Sequence, residues 1–127
     1  MTTWQGRSRR KFSGGRYRPN RKKRKHELGH DFIPAIVGEP ILRPARSRGG
    51  HNKVRILAQN MANVLDPATG KTKKVKIVTV KESPANPNYV QRNIMTKGAK
   101  VQTELGVARI TSRPGQDGVL NAILVKA

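Results

Sequence analysis

Residues 54–80 read VRILAQNMANVLDPATGKTKKVKIVTV and contain the clearest structural pattern in the chain. Every second side chain from 54 to 58 is apolar, which is typical of a strand with one buried face. A second strand is predicted to end near Leu65, because the following Asp-Pro-Ala-Thr-Gly at 66–70 carries turn chemistry. A third strand is predicted over 73–80, so that the stretch forms a long hairpin.

The C-terminal third shows the same kind of pattern. Residues 99–103, 107–111 and 119–125 are rich in β-branched and other apolar side chains. Short glycine-containing segments at 104–106 and 114–118 separate these runs. Connections of this length and composition are typical of β-hairpins, so we predict three further strands joined by two tight turns.

Between these two regions the pattern is weaker. Residues 82–89 include Pro84 and Pro87 and predict a loop, whereas 89–96 fits either a short helix or irregular chain. The apolar share is 35% and the chain has five aromatic residues, so only a small aliphatic core is expected. Several short strands around such a core favour a barrel, which removes exposed sheet edges.

The predicted fold is therefore mainly β, a small, partly closed β-barrel of about six strands with a long, basic, irregular N-terminal extension. We expect the extension to cover residues 1–30 and the barrel domain to cover residues 31–127. The domain would include a basic, glycine-containing loop at 43–53, at the start of the first predicted strand. A chain of 127 residues fits one such domain and leaves no room for a second core.

The charge of the chain points to a polyanionic partner. Lys and Arg number 27 against 7 Asp and Glu, which gives a formal net charge of +20. Residues 1–55 carry net +13 and residues 56–127 net +7, so the first half dominates the electrostatics. A chain of this charge repels itself in isolation, and a nucleic acid that exchanges condensed counterions for Lys and Arg converts that repulsion into binding free energy.

Residues 1–25 contain eleven basic residues and no acid, and seven of the eleven are Arg. Such a segment is expected to be disordered alone and to order on its partner. Trp4, Phe12 and Tyr17 lie among these cations and offer stacking surfaces for unpaired bases. Cations with interleaved aromatic rings favour RNA over duplex DNA, although a DNA-binding, chromatin-type protein remains the alternative on charge alone.

The predicted RNA contacts share a cationic, aromatic or polar side chain in the extension, the basic loop or the C-terminal half. They are Trp4, Arg7, Arg9, Arg10, Lys11, Arg16, Tyr17, Arg18, Arg21, Lys22, Lys23, Arg24, Lys25, Arg43, Arg46, Arg48, His51, Lys53, Arg55, Arg92, Asn93, Lys97 and Arg113.

Two motifs suggest other chemistry. His26-Glu27-Leu28-Gly29-His30 matches the His-Glu-x-x-His pattern of zinc peptidases, which requires both imidazoles on one face of a helix and a third ligand. The preceding cationic run would repel a divalent metal ion, and Gly29 weakens any helix, so both features argue against a zinc site here. Gly70-Lys71-Thr72 resembles the end of a phosphate-binding loop, but Leu65 stands where that loop needs Gly, so we interpret the segment as a hairpin turn with a basic edge.

We therefore expect no catalytic residues, no metal site, no cofactor and no small-molecule substrate. The seven carboxylates are scattered, and no Cys is present, which excludes thiolate sites and disulfides and is compatible with a reducing cytosol. No apolar run approaches the roughly 20 residues of a membrane span, so no membrane partner is expected.

The amino-acid sequence resembles the eukaryotic-type small-subunit ribosomal protein S-eight-e family over essentially its whole length. The resemblance lies in ordered blocks that include Trp4-Gln5-Gly6-Arg7-Ser8, Arg46-Ser47-Arg48-Gly49-Gly50, Asn93-Ile94-Met95-Thr96-Lys97-Gly98 and Thr111-Ser112-Arg113-Pro114-Gly115-Gln116-Asp117-Gly118. The length resembles the short archaeal members.

This resemblance implies a β-barrel body with a basic extension threaded along small-subunit ribosomal RNA. It implies a non-enzymatic role as a structural constituent that supports subunit assembly and translation in the cytoplasm. Neighbouring ribosomal proteins are the other partners it implies. It brings no catalytic residue and no cofactor.

Overall fold

The computed structural model describes residues 3–125, and the chain divides into two compact units, Met1–Phe32 and Ile33–Ala127. The first unit holds strands β1 (Thr3–Trp4) and β2 (Leu28–Gly29), which pair antiparallel, and a 3₁₀ turn at Lys25–Glu27. Of the described residues 3–32, only Gly29 is buried. The sequence predicted an irregular extension, whereas this segment begins and ends in paired strands.

The second unit, described up to residue 125, is mainly β, as predicted. Its elements in chain order are β3 (Ala35–Ile36), β4 (Ile41–Arg46), a 3₁₀ turn (Arg48–Gly50), β5 (Asn52–Ala58), β6 (Met61–Leu65), β7 (Thr72–Glu82), α1 (Asn88–Gln91), β8 (Ile94–Met95), β9 (Lys100–Thr103), β10 (Gly106–Ile110), α2 (Pro114–Asp117) and β11 (Asn121–Leu124).

Five of these strands form a closed barrel in the order β10–β11–β6–β7–β9. The hairpins β6–β7 and β9–β10 were both predicted from their turn residues and are confirmed. The predicted count of about six strands and the partial closure were wrong, because β11 pairs with β6 in parallel and completes a ring of five. All other pairs around the ring are antiparallel.

The core lies inside this ring and beneath the adjoining sheet. Its members are small and aliphatic, as the composition predicts, and Ile56, Ile77 and Ile110 are each at most 2% exposed. Along β7 the buried positions are Val75, Ile77 and Val80; the interval lengthens because the register with β9 shifts between Ile77 and Thr79. Such a bulge lets one long strand bend around a small barrel.

The remaining strands form a second sheet in the order β4–β5–β3–β8. The predicted long hairpin was therefore partly wrong, since β5 pairs with β4 and not with β6. The segment 43–53, predicted as a loop, instead forms most of the β4–β5 hairpin. Strand β4 lies at the edge of its sheet with mostly exposed side chains, so it shows no apolar alternation, and an edge strand tolerates Pro44.

Two short helices complete the unit. Helix α1 occupies the start of the segment for which both a helix and irregular chain were open, and β8 follows it. Helix α2 stands where a tight turn was predicted; Pro114 begins it, and Gly118 ends it in a left-handed conformation with φ 70°. No helix within residues 3–125 has the length and apolar character needed to cross a membrane.

Candidate nucleic-acid interface

The first unit is organised around Tyr17. The guanidinium carbon of Arg7 lies 4.0 Å from the centroid of the Tyr17 ring, and Arg7 Nη2 donates a hydrogen bond to the Tyr17 hydroxyl at 2.6 Å. The ammonium of Lys11 lies 5.5 Å from the same centroid. These cation–π contacts gather positive charge around one ring without an apolar core.

Trp4 forms a second centre of this kind. Lys23 Nζ lies 5.6 Å from its ring, and Trp4 Nε1 donates to the carbonyl oxygen of Arg7 at 3.4 Å. The indole covers Gly6 so closely that a Cβ atom there would lie 2.4 Å from a ring carbon. Gly6 thus admits the ring, and Lys23 makes a cation–π contact with it.

A tight loop at residues 9–17 presents the third aromatic residue. The Lys11 amide donates to the Gly15 carbonyl at 2.8 Å, and Arg10 Nη1 donates to the Gly14 carbonyl at 3.0 Å. Gly14 has a φ of 82°, which a side chain would oppose. The loop leaves Phe12 fully exposed at its tip. Of the three predicted stacking residues, Phe12 has the most open ring, since cations lie over the other two.

The cations of this unit greatly exceed its carboxylates. Residues 1–32 contain eleven Lys and Arg, and their two carboxylates are Glu27 and Asp31, so their net charge is +9. Glu27 accepts a hydrogen bond from Arg21 at 2.5 Å. The predicted contacts Arg9, Arg16, Arg18, Lys22, Arg24 and Lys25 are exposed. Two carboxylates cannot neutralise eleven cations, so the unit presents a strong positive field to solvent.

The His-Glu-x-x-His pattern does not form the helix that a zinc peptidase needs. His26 lies in the 3₁₀ turn Lys25–Glu27, and the chain then enters β2 before it reaches His30. The two imidazoles therefore do not share a helical face. Within residues 3–125, no three His, Cys, Asp or Glu side chains are grouped so that they could hold a metal ion.

In the second unit, the β4–β5 hairpin brings several predicted contacts together. Arg43 lies directly opposite Arg55, and Lys53 lies opposite Ala45, so all three cations share one face of the hairpin. Like charges in this arrangement destabilise a free hairpin, and an anion between them removes the penalty. Arg55 Nε is buried, and no hydrogen-bond partner for it is found among the described residues.

The other predicted contacts of this region are placed differently. Arg46 lies opposite Asn52, on the hairpin face away from Arg43 and Arg55. Arg48 and His51 lie in the exposed turn between β4 and β5. The turn thus extends the cationic surface of the hairpin at its tip.

The contacts predicted in the C-terminal half do not gather into one cluster. Arg92, Lys97 and Arg113 are exposed on separate connecting segments. Asn93 has a structural role, because its side-chain carbonyl accepts hydrogen bonds from Thr79 Oγ1 at 2.9 Å and from the Val80 amide at 3.2 Å. It adopts a φ of 50°, a conformation that Asn tolerates better than most residues.

One cationic surface was missed at the residue level. The sequence indicated only a basic edge at Gly70-Lys71-Thr72, but Lys74 and Lys76 are exposed on β7 and alternate with the buried Val75 and Ile77. Lys71 and Lys73 are also exposed near the turn. The Lys-Val-Lys-Ile alternation at 74–77 could have indicated this outward lysine row.

Beside that row lies a pair of amide side chains. Asn63 of β6 is the register partner of both Lys74 of β7 and Asn121 of β11. Asn63 Nδ2 donates to Asn121 Oδ1 at 3.1 Å, and both side chains are exposed. No sequence pattern links these two residues, because they meet only when the barrel closes.

The family described as Ribosomal protein S8e matches residues 4–125. Proteins named small ribosomal subunit protein eS8 are similar along nearly the whole chain. The one from Methanocella arvoryzae is 57% identical over 96% of this chain and 98% of the relative, and the one from Picrophilus torridus is 55% identical over 98% and 100%. The protein from Methanobrevibacter smithii is 54% identical over 98% of this chain and 100% of its own length.

Proposed function

The chain belongs to the ribosomal protein S8e family, and we propose on that basis that it is a structural constituent of the small ribosomal subunit. Its family is one of structural components, and the chain is not an enzyme. We propose further that it binds and stabilises folded small-subunit ribosomal RNA and thereby supports subunit assembly and translation. As a ribosomal constituent it would reside in the cytoplasm.

The observation that carries RNA binding is the excess of cations over carboxylates in residues 3–32, where almost nothing is buried. Burial cannot hold such a segment in one shape, and mutual repulsion opposes that shape. Phosphates remove the repulsion and release condensed counterions. The first unit would therefore act as an RNA-binding extension, covering residues 1–30, that neutralises phosphates where RNA helices approach each other.

The barrel unit would supply a second, more rigid contact. Arg43, Lys53 and Arg55 lie on one face of the β4–β5 hairpin and are held by strand pairing before RNA arrives. One planar guanidinium group can donate two parallel hydrogen bonds to two phosphate oxygens, which favours Arg over Lys in such positions. The predicted contacts Arg46, Arg48 and His51 would extend this surface, whereas Asn93 would act by supporting the fold.

A neighbouring ribosomal protein is the other partner that we propose. Ile41 and Leu42 of the edge strand β4 are 54% and 53% exposed. Apolar side chains on an open sheet edge favour contact with another polypeptide over contact with phosphates.

The experiment that tests RNA binding measures affinity across salt concentration. The full chain should bind a small-subunit ribosomal RNA transcript with an affinity that falls by about 0.7 to 0.9 logarithmic units per phosphate contact for each tenfold rise in salt. About ten contacts would give a slope of several units. A slope near one contradicts the proposal.

The alternative, a DNA-binding chromatin-type protein, is tested by competition. Structured ribosomal RNA should displace the chain from duplex DNA at physiological salt. Phe12 can stack on unpaired bases, and the guanidinium groups of the β4–β5 hairpin can bind the phosphates of a folded RNA backbone. Equal affinity for both nucleic acids would favour the alternative.

A further inference from the structure

We propose that Asn63 and Asn121 hold the Watson–Crick edge of an unpaired ribosomal RNA nucleotide, while Lys74 and Lys76 hold phosphates beside it. This inference rests on the proposed function, since it takes RNA as the partner. It goes further in giving the barrel a site that contacts a base and not only the RNA backbone.

The geometry of the amide pair is well defined. Asn63 and Asn121 are register partners on the parallel strands β6 and β11. The backbone N–H of Asn63 donates to the Leu120 carbonyl oxygen at 2.8 Å, and the backbone N–H of Asn121 donates to Ser112 Oγ at 2.9 Å. Buried Val64 and Ala122 follow them in the two strands. The two side chains therefore stand on a rigid part of the barrel wall.

The hydrogen bond between the two side chains leaves two groups for a ligand. Asn63 Nδ2 donates to Asn121 Oδ1, so Asn63 Oδ1 is left as an acceptor and Asn121 Nδ2 as a donor. Exchanging the nitrogen and oxygen of both amides reverses the two roles but still leaves one donor and one acceptor. The pair thus keeps one donor and one acceptor for a ligand whichever way the amides are oriented.

That pattern matches a base edge. The Watson–Crick edge of every base has a donor next to an acceptor, and in a duplex both are already used. An unpaired nucleotide offers both groups, and proteins that recognise RNA by sequence read such unpaired bases. The bond between Asn63 and Asn121 is exposed to water, where one side-chain hydrogen bond adds little to stability.

Two lysines supply phosphate contacts next to this pair. Lys74 is the direct cross-strand neighbour of Asn63, and Lys76 follows two residues later on the same outer face of β7. The closest carboxylate in sequence, Asp66, accepts hydrogen bonds from the Ala68 amide and Thr69 Oγ1 within its own turn. The lysines are exposed, as a phosphate contact requires.

The site is also joined to the cationic β4–β5 hairpin. Lys53 Nζ donates to Gln116 Oε1 of α2 at 3.0 Å, and Gly118 packs against Val54. The same segment then reaches Asn121 at the start of β11. The α2–β11 segment therefore connects a cation of the hairpin with one member of the amide pair.

The test is base-modification interference with the full chain and an archaeal small-subunit ribosomal RNA transcript. Dimethyl sulfate, kethoxal and carbodiimide together modify the Watson–Crick edges of all four bases. Modification of one discrete unpaired base should block binding by the unsubstituted protein. In Asn121→Ala that block should vanish, with about a tenfold or larger loss of affinity and an unchanged salt slope.

Lys74→Gln should behave in the opposite way. It should keep the base interference and lower the salt slope by about 0.7 to 0.9. Asn88→Ala and Lys81→Gln serve as matched controls, because they change the same residue types at exposed positions outside the proposed site. Neither control should alter the interference pattern.

Asn121→Asp covers the case in which Asn121→Ala does not fold. A carboxylate still accepts the hydrogen bond from Asn63 Nδ2, so the strand contact persists while the donor toward RNA is lost. Interference by the base must vanish in this variant as well. If Asn121→Ala, or Asn121→Asp in its place, retains the interference pattern, the inference is wrong even when a steep salt slope upholds the proposed function. Failure of the unsubstituted protein to bind the transcript would instead overturn the proposed function.

Discussion

The two units of the chain combine charge and structure in opposite ways. Residues 1–32 carry net +9, and within 3–32 only Gly29 is buried. Residues 33–127 carry net +11 over about three times the length and enclose an aliphatic core. In the first unit the cations are part of the packing, whereas in the second they stand outside a fold that burial maintains.

The two units also differ in how far apart in sequence their contacting residues lie. Arg7 and Tyr17 are ten residues apart, whereas Asn63 and Asn121 are 58 residues apart. Local cation–π contacts are individually weak and exposed to salt. Long-range strand pairing is cooperative and buried. One chain therefore presents positive charge both on a segment with almost no buried residues and on a fold maintained by a buried core.

Removing residues 1–30, nearly all of the first unit, should give the largest effect. Deletion of residues 1–30 removes eleven cations, so affinity for small-subunit ribosomal RNA at physiological salt should fall by about a thousandfold or more. The circular dichroism spectrum of the barrel should persist, because its core lies in the second unit. Loss of the β spectrum on deletion would show instead that the second unit depends on the first for its fold.

A core substitution tests the other side of the comparison. Ile77→Ala should lower the free energy of unfolding by about 2 to 5 kcal/mol, because Ile77 is 2% exposed inside the barrel. Urea denaturation measures this change. The salt slope of RNA binding by the protein that remains folded should stay constant. A cost below about 1 kcal/mol would show that burial does not maintain the second unit.

Arg43→Gln should produce opposite signs in stability and binding. It removes one of two cations that lie opposite each other, so the free energy of unfolding of the free protein should rise by a few tenths of a kcal/mol, measured by thermal unfolding. RNA binding should weaken, with a salt slope lower by about 0.7 to 0.9. Arg46→Gln is the control, since Arg46 faces Asn52 and should bring no gain in stability. Equal stability changes in both variants would refute the like-charge argument.

The smallest effect is expected within the first unit. In Gly6→Ala the new Cβ must displace the Trp4 ring, so the fluorescence emission of this sole tryptophan should shift. The free energy of unfolding should change by less than about 0.5 kcal/mol, because no core is affected. Gly15→Ala, where the nearest side-chain atom would be 3.8 Å away, should leave the emission unchanged. An unshifted spectrum in Gly6→Ala would contradict the packing of Trp4 on Gly6.

Local turn chemistry predicted the parts of the fold that local interactions determine. The residues at 66–70 and 104–106 identified two hairpins, and both are confirmed. Strand β4 was missed because an exposed edge strand lacks apolar alternation. The closure of the barrel was missed because the parallel β6–β11 pairing joins strands far apart in sequence and leaves no local pattern.

The candidate interface shows the same division. The cations of the extension were predictable from composition, because a run of charge needs no fold to be recognised. Their arrangement around Tyr17 and Trp4 was not, since it depends on how the backbone turns at Gly6 and Gly14. The Asn63–Asn121 pair required knowledge of the register between two distant strands.

The parallel pairing of β11 with β6 also orders events during synthesis. Translation makes Met61–Leu65 well before Asn121–Leu124, so β6 waits with one unpaired edge while the intervening chain is produced. The cationic residues 3–32 emerge earlier still. Under the proposed function, a nascent molecule engages RNA before its barrel exists, so assembly and folding overlap in time.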